Sequence, residues 1–109
     1  MLEGLFGNQT VEKILWFLFQ YQEGYTKEIA LAFELPVTTV KNSIKRLEQG
    51  NIIVAKTVGR TKLYRINPRW PFKEELCLLL KKSLEALPPS EIERLFTKRT
   101  RPRRSGKPI

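Results

Sequence analysis

The sequence predicts a mainly α chain with a small β-hairpin, and three patterns carry that expectation. Apolar residues recur at spacings of three and four in separate stretches, among them Val11, Ile14, Leu15 and Leu18, then Val37, Val40, Ile44 and Leu47. Two β-rich runs, residues 52–58 and 61–66, flank a Gly59-Arg60 pair, as in a hairpin with a tight turn. Helix breakers separate the stretches at Gln22-Glu23-Gly24, Leu35-Pro36, Gly50 and Pro88-Pro89.

In chain order, Leu2, Leu5 and Phe6 form an apolar lead-in, and Gly7-Asn8 offers a helix start. The first helix is expected over Gln9–Tyr21, with Val11, Ile14, Leu15 and Leu18 as its core stripe. Trp16, Phe17 and Phe19 add large apolar surface outside that stripe, so the helix needs covering twice. After the break, Thr26 offers a cap, Glu28 suits the first turn, and Ile29, Ala30 and Phe33 make the buried face of a short helix. The next helix should begin near Val37, because proline disfavours helix in the residue before it, and Gly50 is placed to end it. At about 100° per residue, Thr38, Asn42, Lys45 and Gln49 point away from its apolar stripe, with Thr39, Lys41 and Arg46 on the flanks. That outward face carries donors and cations and no acid until Glu48.

On the second β run, Lys62, Tyr64 and Ile66 alternate with Leu63 and Arg65, so one face can be polar. Residues 67–71 read as a stiff connector. The last full helix is expected over residues 72–86, with Phe72, Leu76, Leu79, Leu80 and Leu87 on one stripe and Cys77, Leu78 and Leu84 beyond it. Pro88-Pro89 ends it, and residues 90–96 suit one further short helix. Residues 1–96 thus read as one domain, and 97–109, TKRTRPRRSGKPI, as a disordered basic tail with almost nothing to bury.

The stretch from Thr26 to Ile66 resembles the winged helix-turn-helix of ArsR-like and MarR-like transcriptional regulators. The matching residues are Thr38-Thr39-Val40, Ile44-Lys45-Arg46-Leu47-Glu48, Gly50-Asn51-Ile52-Ile53, and the run from Gly59 to Pro68. One departure is Pro36, where many relatives place a serine that caps the recognition helix. The resemblance implies a three-helix core, a two-stranded wing, an extra C-terminal helix and double-stranded DNA as partner. Thr38, Thr39, Lys41, Asn42, Lys45 and Arg46 would then sit on a recognition helix in the major groove, which presents a distinct donor and acceptor pattern for each base pair. Thr26 and Lys27 would rest on a phosphate, with a plain capped helix as the even alternative. Arg60 and Lys62 would form the wing, Arg60 reaching a narrow minor groove unless it is a solvated turn residue. In such regulators the terminal helices build a homodimer, and repression by occluding a promoter is the usual mode.

The charge lies where this reading places DNA. Residues 37–69 hold eight basic residues and only Glu48, and 97–109 hold six basic residues and no acid. Residues 1–36, by contrast, hold two basic residues and five Glu. A merely soluble domain more often intersperses its signs. The surplus apolar residues Trp16, Phe17, Phe19, Phe72, Leu76, Leu78, Leu80 and Leu84 are the expected dimer interface; the alternative is a thicker monomer core, for which so short a chain has little material. The basic tail could follow phosphates or serve as a solubilising end.

Other classes fare worse. The chain has no His and no Asp, so the usual general base and the usual metal ligands are missing; neither an enzyme nor a metal or other cofactor is expected. The one cysteine, Cys77, reads as a small buried apolar residue and fits a reducing, cytoplasmic setting. No signal peptide or membrane span is expected, since no apolar run approaches 18 residues. The rival from another class is a winged-helix protein-interaction adaptor or partner subunit of an enzyme, which has no need of so basic a helix and ribbon. RNA binding is weaker still, because paired aromatic motifs for stacking bases are absent.

Overall fold

Residues 2–96, those described by the computed structural model, form six helices and three strands. They follow the order α1 (Glu3–Phe6), α2 (Gln9–Tyr21), β1 (Gly24–Tyr25), α3 (Thr26–Phe33), α4 (Val37–Gln49), β2 (Ile53–Val58), β3 (Thr61–Ile66), α5 (Lys73–Ala86) and α6 (Pro89–Phe96). The tail expected over 97–109 lies outside the described residues. The apolar lead-in is itself a turn of helix, tied down where the buried Glu12 carboxylate accepts the Leu2 N–H. Helix α2 starts as the sequence implies, with Asn8 Oδ1 accepting the Val11 N–H at 2.8 Å.

The core gathers Ile14, Phe17, Ile29, Val40, Ile44 and Leu80, all essentially inaccessible to solvent. Helix α5 lies across α2 with Leu76, Leu80 and Leu84 turned inward, an i, i+4, i+8 stripe. Its first expected stripe member, Phe72, is instead the N-cap residue and 60% exposed. The second cover that α2 requires therefore comes from its own chain. Trp16, Phe17, Leu76, Leu80 and Leu84, expected at a dimer interface, are buried in this single chain; of that set Phe19 is half-buried and only Phe72 and Leu78 are exposed.

The wing is one strand wider than expected. Residues Gly24–Tyr25 pair with Tyr64 and Leu63, giving a three-stranded antiparallel sheet in the order β1-β3-β2. With a neighbour on each side, β3 does not show the simple polar face its alternation suggested. Tyr64 and Ile66 face the core, while Leu63 is buried on the opposite face between its cross-strand partners Tyr25 and Lys56.

Three helix ends carry left-handed residues that are not glycine: Gln22 (φ 74°) after α2, and two with a shared hydrogen-bond pattern. Glu34 (φ 56°) ends α3, with the Leu35 N–H on the Ala30 carbonyl; Asn51 (φ 63°) ends α4, with the Ile52 N–H on the Leu47 carbonyl and its own N–H on Glu48. Both are Schellman turns. Gly50, expected as the stop, has an ordinary φ of −85°, so the left-handed step falls one residue later, on an asparagine that tolerates it. Asn67 then clasps the wing's base. Its amide donates to the Asn51 carbonyl at 2.9 Å, its N–H donates to the Ile52 carbonyl at 2.8 Å, and its Oδ1 accepts the Arg69 N–H.

Candidate nucleic-acid interface

Helix α4 begins at Val37 with Pro36 as its N-cap residue, in extended geometry and with no side-chain cap. The Pro36 carbonyl accepts the Val40 N–H at 3.2 Å, so the start holds without the serine. Val40, Ile44 and Leu47 are buried as their spacing requires. Thr38, Thr39, Lys41, Asn42, Lys45 and Arg46 are all exposed along the other side. Ser43 is also buried, a position the apolar pattern does not mark.

Helix α3 packs against α4, and its cap differs from expectation. Thr26 is the first helical residue and Tyr25 the N-cap, with Glu28 Oε1 accepting the Tyr25 N–H at 3.2 Å. The reason lies in the unexpected strand: β1 runs straight into α3, so the last strand residue becomes the cap. At the hairpin tip Gly59 has φ 62°, which suits the first position of a II′ turn, and Thr61 Oγ1 donates back to the Val58 carbonyl at 2.9 Å.

These elements enclose an open groove of about 820 Å³ between the starts of α3 and α4 and the wing. Five residues expected at a DNA face line it together: Thr26, Lys27, Lys41, Arg60 and Lys62. Thr38, Thr39, Asn42 and Lys45 do not line it and lie exposed along α4. Arg46, five residues beyond Lys41, is turned about 140° from it. It lines a separate apolar recess of about 260 Å³ with Leu5, Trp70 and Leu76, close to Gly7.

The sequence did not point to Tyr64, Leu31 or Val37 as groove residues. Tyr64 sits on the same face of β3 as Lys62, and its phenol is held above the usual tyrosine range by burial and then by the Glu48 carboxylate, against a side-chain hydrogen bond with Thr26. It therefore stays protonated and neutral at ordinary pH. Leu31 and Val37 are 58% and 43% exposed. Among the described residues, no group of three or more Cys or Glu side chains is placed to hold a metal ion, and no helix is long and apolar enough to cross a membrane.

A helix pair joined by a three-residue turn, followed at once by a hairpin whose tip returns to the same groove, decides the architecture. The fold is a winged helix-turn-helix. This winged helix overlays on several solved structures. ZitR of Lactococcus lactis, a C30AH42A mutant in apo form, aligns with a TM-score of 0.57 and 21% identity over 78% of this chain and 72% of that one. YusO of Bacillus subtilis gives 0.57 and 22% over 78% and 66%. The adhesin competence repressor AdcR of Streptococcus pyogenes gives 0.55 and 20% over 72% of this chain and 60% of that one. The winged helix thus spans between about three fifths and three quarters of these chains. At such identities the likeness is one of fold. No protein-family model matches the sequence, and neither does any curated protein.

Proposed function

We propose that this winged helix binds double-stranded DNA as a transcriptional regulator, with α4 in the major groove and the hairpin along the minor groove. The observation that carries the reading is the groove in which Lys27, Lys41, Arg60 and Lys62 converge from three elements. Cations so gathered can displace the counterions of a phosphate backbone. The exposed α4 face adds Thr38, Thr39, Asn42 and Lys45, of the size and chemistry that reach base edges.

A repressor acting by promoter occlusion is the mode we assign, in keeping with the repressor AdcR among the proteins of like fold. Two copies would read two half-sites one helical turn apart. Phe72, Leu78 and Leu5, large apolar side chains left in solvent near the two ends of the domain, are the candidates for joining them.

Selection of bound sequences from a random duplex pool tests the reading, combined with sedimentation of the free protein. Enrichment of a repeated half-site by a dimer is the expected result. A pool that shows no enrichment and no salt-dependent retention would leave the protein-interaction adaptor as the better reading.

A further inference from the structure

The groove is not uniformly polar. Between its cations lie Leu31 of α3 and Val37 at the start of α4, both large apolar side chains left open to solvent. Neither is needed by the core: Val37 stands at the first position of α4, one turn before the buried Val40 and two before Ile44, and Leu31 is bracketed by the buried Ala30 and Ala32. Two such residues lining one groove with Lys27, Lys41, Arg60 and Lys62 make a surface suited to a ligand that is anionic outside and apolar at one point.

A duplex with thymine in its major groove meets that description. The thymine C5-methyl is the one apolar group that base edges present in the major groove, and apolar side chains contact it. The first residues of a recognition helix are the ones that approach base edges. No acid stands in the first turn of α4, and the groove's one acid, Glu28, is turned to the Tyr25 N–H.

We infer that Val37, with Leu31 in the same groove, is a specificity-determining contact for a thymine methyl. This rests on the DNA-binding reading above and adds to it which base the start of α4 prefers and through which atoms. Lys41, one turn further along, holds the neighbouring phosphate and reads nothing by itself.

The test uses the full-length protein and the duplex enriched from a random pool, with each thymine replaced singly by deoxyuracil, which lacks only the methyl. Loss of one buried methyl should weaken binding about fourfold at one or two positions and leave the others unchanged. Val37→Ala should bind the thymine and uracil duplexes alike at that position, while Val37→Thr, which keeps a methyl of similar placement, should retain part of the difference. Val37 is partly exposed, so neither variant threatens the fold.

Indifference of the wild type to uracil at every position, with tight binding intact, overturns the methyl contact and leaves DNA binding standing. A uracil penalty that survives in both Val37→Ala and Leu31→Ala also overturns it, since the methyl then meets another residue. A protein that retains no duplex at all overturns both readings together.

Discussion

The indole Nε1 of Trp16 donates a 2.8 Å hydrogen bond to the hydroxyl of Ser83, 67 residues further along the chain, and that hydroxyl donates in turn to the Leu80 carbonyl at 2.8 Å. Both side chains are buried, so this short relay is the polar seam between α2 and α5. Ser83→Ala should cost about 1–3 kcal/mol, because it leaves an indole N–H buried without an acceptor. Urea denaturation of Ser83→Ala, Trp16→Phe and the double variant checks it. The double variant should be less destabilised than the sum of the two, and strict additivity would show that the bond does not couple the helices.

Gly24 lies against the ring of Phe17. A Cβ there would stand 2.6 Å from Phe17 Cε1 and 3.0 Å from Cδ1. The ring is fully buried, with Tyr21 and Phe33 beside it, and has no room to yield. Gly24→Ala should therefore destabilise the fold by about 1–3 kcal/mol through overpacking. Thermal unfolding measures it, and an unchanged midpoint would mean that the strand approaches Phe17 less closely.

Asn51 holds the left-handed step after α4. Asn51→Val, with a branched Cβ at positive φ, should lose about 1–2 kcal/mol. Asn51→Gly should stay within about 0.5 kcal/mol of the parent. Equal losses in the two variants would assign the effect to the side chain rather than to the backbone.

Tyr64 predicts a dependence on alkaline pH. Burial raises its pKa in the native state, so above the ordinary phenol value of about 10 the unfolded chain releases a proton that the native chain keeps. The native state then binds more protons, and stability falls as pH rises; the contribution is complete below about pH 10 and is lost through the native value. Urea midpoints of Tyr64→Phe should fall less steeply than the parent's between about pH 8 and 11. Parallel curves would place the alkaline loss in other groups.

On DNA, Asn42→Ala and Lys45→Ala should weaken binding to an enriched site by about 1–3 kcal/mol each and to random duplex far less. Arg60→Ala and Lys41→Ala should each flatten the salt dependence by about 0.9 in slope. Arg46→Ala should change that slope less than Lys41→Ala, since Arg46 lines the recess beside Gly7. A larger effect from Arg46 would reverse the assignment of faces.

Helix α4 and the hairpin were legible in the sequence because their signals are local. Leu35-Pro36 cuts the chain before α4, the spacing of Val40, Ile44 and Leu47 sets its inner face, and Gly59 marks the hairpin turn. What the sequence hid depends on distant partners. Gly24–Tyr25 is too short to show any alternation and is a strand only because β3 lies beside it. Trp16 read as surplus because nothing near it in sequence reveals Ser83 of α5, and Phe17 because only the folded chain brings Gly24 and Phe33 against its ring. Val37 obeys the apolar spacing yet stands at the helix's first position, where the core has already ended.

Asn67 grips the hairpin only at its base, through Asn51 and Ile52, while the tip is held by its own turn. From the Ile53–Ile66 pair to the Val58–Thr61 pair the ribbon extends by five residues, about 17 Å. Strand β1 clamps β3 as far out as Leu63, however, so the free arm is only the two residues from the Lys56–Leu63 pair to the Val58–Thr61 pair, about 7 Å. A tilt of roughly 10° there moves the tip by about 1 Å, against the few tenths of an ångström over which hydrogen-bond lengths vary. The aim of Arg60 is thus set by Tyr25, a residue that both clamps the ribbon and lines the groove the tip overhangs.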